Sequence, residues 1–188
     1  MTTERPILFS APMIRALLAG TKTQTRRVVK DTGLYAINAA IHGPETAARE
    51  LLALASRCPY GQPGDRLYVR ETWAAPHALD GHTPRFMPRG TRMHYAATED
   101  RGGLLWRPSI HMPRWASRIT LEVTEVRVER LQAISRGDAM AEGCPFANMA
   151  AGPDPRDWYR DLWNEINGPG AWGLSPWVWV VAFKVVKP

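Results

Sequence analysis

Near its C-terminus the chain reads WVWVVAFKVV, Trp177 to Val186, with Lys184 as its only charged residue. A strand with one wet face alternates apolar and polar side chains, and this segment does not alternate. It therefore has to bury both faces, inside a sheet covered on each side or in a closed barrel with helices packed on it. The rest of the chain must supply that cover.

A second strand signal precedes it, RITLEVTEVRVERL. Ile119, Leu121 and Val123 share one face, whereas Val126 and Val128 fall on the other. One extra residue near Thr124 would bring all five onto a single face, as a β-bulge does in a curved sheet. Upstream, PILFS and RLYVRETW read as further strands, the latter with Leu67 and Val69 on one face and introduced by the turn sequence CPYGQPGD, with Pro63-Gly64 at a type II centre.

The helices are short. Ser10 is placed to cap the first, with Pro12 in its first turn, Met13, Ile14, Leu17 and Leu18 as its apolar stripe, and Gly20 as its left-handed stop. A helix over 44–56 puts Ala48, Leu51, Leu52 and Ala55 on one side. Ser135 and Asp138 form a capping-box pair for a helix that runs to Glu142 and stops at Gly143. Asp154-Pro155 opens the last, with Trp158, Leu162 and Ile166 four apart and Tyr159 and Trp163 beside them. The expected class is α+β, mainly β: one domain over 1–188, a small curved barrel with short packed helices and insertions at about 31–58 and 75–112. The second insertion is rich in Pro, Gly, His and Arg, with RMHYAA as its one strand signal.

Charge narrows the partners. The formal net charge is +6, carried by arginine, twenty Arg against four Lys. An anionic partner such as nucleic acid or a nucleotide suits that balance, and so does an arginine-rich codon usage. Two cysteines and five histidines lack the spacing of a disulfide framework or a zinc site, so neither metal nor cofactor is expected. With no apolar run of membrane length and no leader pattern, no membrane partner is expected and a cytoplasmic location is the default.

One segment, GTKTQTRR from Gly20 to Arg27, is too polar for a core and too basic for a plain turn. Gly20, Lys22, Thr25 and Arg27 match a motif of glycine, lysine two on, an acidic or hydroxyl residue three further, and arginine two beyond that. Together with the Gly64-Asp65 turn, the RITLEVTEV strand, the Ala141-Glu142-Gly143 segment and the terminal apolar strand, the chain resembles ASCH domains of the PUA-like superfamily, in a long form similar to phage and prophage members. Most members carry glutamate where this chain has Thr25. Small bacterial N4-acetylcytidine amidohydrolases of that family have threonine there, and the resemblance implies catalytic roles for Lys22, Thr25 and Glu142.

The chemistry is coherent. A threonine oxygen needs a base to become a nucleophile, and lysine is a base only when burial or a neighbouring cation, here Arg26 or Arg27, lowers its pKa. A carboxylate in the last turn of a helix opposes the macrodipole, so Glu142 is expected to face a cation, Lys22. Arg27, Arg70 and Trp73 are the candidate substrate-binding residues, Arg27 alternatively pairing with Glu71. The expected substrate is an N4-acylated cytosine nucleoside or nucleotide. The alternative is a nucleic-acid-binding module, a modified-base reader or ribonuclease, gripping single-stranded RNA or DNA through the arginines and tryptophans around Trp73, Trp106 and Trp115.

Overall fold

The computed structural model describes residues 2–30, 43–100, 102–150 and 152–187. In chain order they form β1 (Glu4–Leu8), α1 (Ala11–Leu18), β2 (Gln24–Val28), α2 (Pro44–Ala55), β3 (Arg66–Arg70), β4 (Trp73–Ala74), β5 (His94–Tyr95), β6 (Trp106–Arg107), β7 (Thr120–Arg130), α3 (Arg136–Ala141), α4 (Pro155–Asn167) and β8 (Trp177–Lys187), with single helical turns between. The first part of the 31–58 insertion lies outside the described residues. Among the described helices none is long and apolar enough to cross a membrane.

The main sheet has the order β1-β3-β7-β8-β2. β8 lies inside it, between β7 and β2, and both of its faces are covered from Val178 to Phe183, whereas Val185 and Val186 are exposed. Trp179, Val181 and Phe183 join the principal core with Ile7, Leu67, Ile119 and Leu121, while Val178 and Val180 pack under Tyr159 and Trp163 of α4. Apolar residues on both faces thus have two cores to enter. The bulge falls at Thr124: Val123 is opposite Phe183 and Glu125 opposite Ala182. Past it, Val126 and Val128 return to the principal core. The turn into β3 has Gly64 at φ 92° and Asp65 N donating to Gln62 O at 2.9 Å, as a type II turn requires.

Among the described residues the sheet is not a closed barrel. β1 and β2 are its two edges, and what spans them is a side chain. Arg27 Nη2 donates to Leu8 O at 2.8 Å, and its guanidinium lies over the Phe9 ring at 5.3 Å. The seam is filled by Arg27 where a backbone ladder would have closed it.

Three helical details differ from the sequence pattern. Ser10 sits at the N-cap of α1, but its hydroxyl makes no capping bond. In α2, Ala47 and Ala55 are buried with Leu51 and Leu54 packed beside them, leaving Leu52 73% exposed. In α4, Tyr159 and Trp163 form the buried face and Ile166 is 54% exposed, because the i, i+4 aromatic pair is the one that meets β8. The capping box of α3 is formed by Ser135 and Asp138, and Gly143 follows at φ 96°.

The 75–112 excursion is more organised than its composition suggests. Its strands β5 and β6 flank β4 in a second sheet, over a satellite core of Trp73, Ala75, Met87, Met93, Met112 and Ala116.

Candidate functional site

After α1 the chain doubles back. Gly20 takes φ 75°, and the Thr21 and Lys22 amides both donate to Ala16 O. Lys22 then meets Glu142 in an isolated antiparallel bridge, and Thr23 N donates to Ala141 O at 2.8 Å. The turn is thereby clamped to the end of α3. Gly143 explains why the chain needs Glu-Gly here. A Cβ on it would lie 2.9 Å from the Ala16 Cβ and 3.3 Å from the Lys22 Cβ, besides the strain of a positive φ.

The Lys22 side chain is buried. Its Nζ donates to Glu142 Oε2 at 2.8 Å and to the Glu142 carbonyl at 2.9 Å, so it neutralises the carboxylate and also caps the end of α3. Burial pushes the ammonium pKa down, the Glu142 charge and hydrogen bond oppose this, Arg27 and Arg26 add repulsion, and the balance lies below the ordinary 10.5.

Arg26 carries the second half of the arrangement. Its guanidinium, also buried, donates to Glu142 Oε1 at 3.1 Å and to Glu129 Oε1 at 2.6 Å, with Asp138 Oδ2 at 3.4 Å. Arg127 binds the outer oxygens of Glu129 and Asp138. Burial alone would raise the Asp138 carboxyl, but hydrogen bonds from Ser135 and the charges of Arg26 and Arg127 outweigh it and hold the group at about 2. Glu142 is therefore gripped from two sides, and each gripping cation is itself fixed.

A cleft with a cavity volume of about 60 Å³ runs along the free edge of β2, with Thr25, Arg26, Arg27 and Glu142 on one side and Tyr159, Trp163 and Asn167 of α4 on the other. A larger outer cleft of about 430 Å³ adjoins it, lined by Phe9, Ser10, Tyr60, Thr72 and Ser109, and the two share Met13, Arg27 and Ile166 as walls. Among the described residues the Thr25 hydroxyl has no hydrogen-bond partner, and Arg27, unlike Lys22 and Arg26, has no carboxylate.

Of the residues singled out from sequence, Lys22 and Glu142 are in direct contact, and Thr25 shares a cleft with Glu142. Lys22 and Thr25 do not hydrogen-bond; Lys22 binds the carboxylate, and Thr25 lines the same cleft as Glu142. Arg27 stands where the clefts meet. Arg70 and Trp73 are elsewhere: Arg70 Nη2 donates to the Ile110 carbonyl, and Trp73 is fully buried in the satellite core under the Arg107 guanidinium. Trp73 cannot stack on a base from there, because it is fully buried. Glu71 is bound by both nitrogens of Arg118 and not by Arg27.

Sequence reasoning overlooked Arg26 as a ligand of Glu142, and Tyr159 and Trp163 as a cleft wall. The alternation of β2 carries a signal for the first, since Gln24 and Arg26 share the face opposite Thr25 and Arg27. Nothing local signals the second. Among the described residues no group of three His, Cys, Asp or Glu side chains is arranged to hold a metal ion, and Cys58 and Cys144 are both free and buried.

No family model matches the sequence, and no curated protein does. In three dimensions the chain is similar to the crystal structure of an ASCH domain from Lactobacillus crispatus JV V101, at 13% identity and a TM-score of 0.45, over 99% of this chain and 81% of that one. It is also similar to a protein of Enterococcus faecalis V583 labelled DUF984, at 10% identity and a TM-score of 0.44, over 100% and 82%.

Proposed function

We propose that the chain is an amidohydrolase that removes the acyl group from N4-acylated cytosine nucleosides. The observation that carries the reading is a buried lysine held on a carboxylate that lines a cleft, with an unbonded threonine hydroxyl on the same cleft. Thr25 Oγ attacks the acyl carbonyl carbon. Its proton passes to the Lys22–Glu142 pair, in which desolvation favours a neutral amine able to accept it. As the acyl carbon–nitrogen bond breaks, the pair returns the proton to the exocyclic nitrogen, releasing cytidine. Water then hydrolyses the acyl-threonine to the carboxylic acid and regenerates the hydroxyl. Glu142 is the relay, since it alone touches Lys22 and lines the cleft with Thr25. Arg27, a half-buried guanidinium without a carboxylate, is suited to bind the nucleoside's carbonyl or an attached phosphate where the clefts adjoin.

The test is incubation of the purified chain with N4-acetylcytidine. Cytidine and acetate should appear in equal amounts with the wild type and not with Lys22→Ala. No turnover across a panel of N4-acyl cytidines by folded protein would exclude the reading. Binding of single-stranded RNA that weakens steeply with salt, in the absence of turnover, would replace it with the nucleic-acid-binding alternative.

A further inference from the structure

The two clefts that meet at Arg27 differ in size and in lining. The inner one has a volume of about 60 Å³ and the outer one about 430 Å³. A cavity of about 150 Å³ holds one benzene ring, and ligands the size of a nucleoside occupy pockets of roughly 300–1,000 Å³. By that measure the inner cleft is too small for an aromatic ring and takes a group of a few non-hydrogen atoms, whereas the outer cleft takes a nucleoside. The linings agree. Much of the inner wall is apolar: Val28, Leu162, Trp163 and Ile166. The outer cleft carries the hydroxyls of Ser10, Tyr60, Thr72 and Ser109, and among the described residues none of them has a hydrogen-bond partner. Hydroxyls both donate and accept, which suits a sugar and the edge of a base. Thr25 lines the inner cleft and not the outer. It is 1% exposed, yet its unbonded hydroxyl oxygen is not among the side-chain atoms sealed from solvent without a partner. The little surface Thr25 shows therefore includes that oxygen.

A carbonyl carbon attacked by Thr25 has to reach the inner cleft, and whatever is attached behind it has to fit there. We propose that the acyl group alone enters the inner cleft, that the cytosine and sugar stay in the outer one, and that Ile166 sets the largest acyl group admitted. Ile166 lines both clefts, together with Met13 and Arg27, so a substrate that spans the clefts passes it. Arg27 is tied to Leu8 O and lies over Phe9. Ile166 is 54% exposed, so its side chain narrows the passage and contributes little to the core. A methyl group behind the carbonyl meets apolar walls. A phenyl ring would have to displace α4, which Tyr159 and Trp163 pack onto β8. Selection is then by exclusion of larger groups from a packed wall, which does not yield as a loop would. Naming the small group as an acyl rests on the amidohydrolase reading; the size limit does not.

The experiment gives the full chain cytidines that carry N4-acetyl, N4-butyryl and N4-benzoyl groups. From acetyl to benzoyl kcat/KM should fall by about 100-fold or more, and Ile166→Ala should raise the butyryl-to-acetyl ratio by about tenfold. The intrinsic reactivity of each amide cancels when the ratio is compared between variants. A flat series, or a ratio that Ile166→Ala leaves unmoved, overturns the proposal. The size limit is also read without turnover, from the Thr25 methyl signal of methyl-labelled wild-type protein, assigned by its loss in Thr25→Ser. Acetamide should move that signal saturably and benzamide should not. An unmoved signal under acetamide, or equal movement under both, overturns the proposal as well. An acetamide shift with no turnover of any N4-acyl cytidine removes the amidohydrolase reading and leaves the size limit standing. Equal turnover of the acetyl and benzoyl substrates does the reverse.

Discussion

Two basic regions of this chain set their cations differently. Around β2, Lys22 and Arg26 are fully buried and end on carboxylates: Glu142, Glu129 and Asp138. In and around the 75–112 excursion Arg70 and Arg107 end on backbone carbonyls, while Arg114 and Arg118 lie over tyrosine rings and also pair with Glu4 and Glu71. Arg107 reaches the carbonyls of His82, Leu79 and Asp80 and covers Trp73, and Arg70 holds the Ile110 carbonyl. Arg118 lies over Tyr95 at 4.1 Å while pairing with Glu71. A loop with two-residue strands has many backbone acceptors without ladder partners, and five-donor arginine satisfies them. The first region concentrates charge where water is excluded; the second uses charge to hold a loop together.

Substitutions separate the two, and the largest effect belongs to the first. Lys22→Met should lower kcat on N4-acetylcytidine by about 100- to 10,000-fold, the usual worth of a positioned acid–base pair. It should also lower stability by roughly 3 kcal/mol in urea unfolding, the low end for breaking a buried ion pair, because Arg26 still holds Glu142. Gly143→Ala comes next. Its methyl group collides with Ala16 and the Lys22 stem, so a loss of about 1–3 kcal/mol and a clear fall in kcat at unchanged expression are expected.

The pH dependence bears on the same contrast. Because the folded state holds the Lys22 proton less tightly than water does, kcat/KM should rise with pH through an apparent pKa below 10.5, and stability should climb over the same alkaline window. A profile flat over that window would remove Lys22 as the base. Asp138 acts at the other end. Its folded pKa of about 2 lies under the ordinary 3.8, so its contribution to stability is complete above 3.8 and is lost as pH falls toward 2. Asp138→Asn should lack this acid limb when unfolding is followed against pH.

Arg27→Gln should raise KM by about tenfold with kcat little changed, the worth of one charge-assisted hydrogen bond to substrate. The smallest effect on activity belongs to the excursion. Arg107→Ala should leave turnover within about twofold yet expose 75–112 to faster proteolysis, because only the staple is lost. A large fall in turnover from that change would mean that the excursion is not merely held together but takes part in the chemistry.

How much of the fold and the site is readable along the chain follows from the range of each interaction. The Thr124 bulge is legible because apolar phase is a local pattern on one strand, and the α3 capping box because Ser135 and Asp138 are three apart. Lys22 facing Glu142 is reachable only through a motif and a dipole argument. The misplacement of Trp73 has the same origin as the oversight of Trp163. Whether a tryptophan faces a core or a cleft depends on what packs against it, and neighbours distant in sequence decide that.

The order of amino acids is enough to set the long strands and the helices, where β7 shifts phase, and that β8 must be covered on both sides, since those are properties of adjacent residues and their periodicity. It took tertiary packing to leave β1 and β2 unpaired with Arg27 in the seam, to share Glu142 between Lys22 and Arg26, and to turn Trp163 of α4 to the cleft. Each of these joins residues far apart along the chain, and burial and charge pairing act through space.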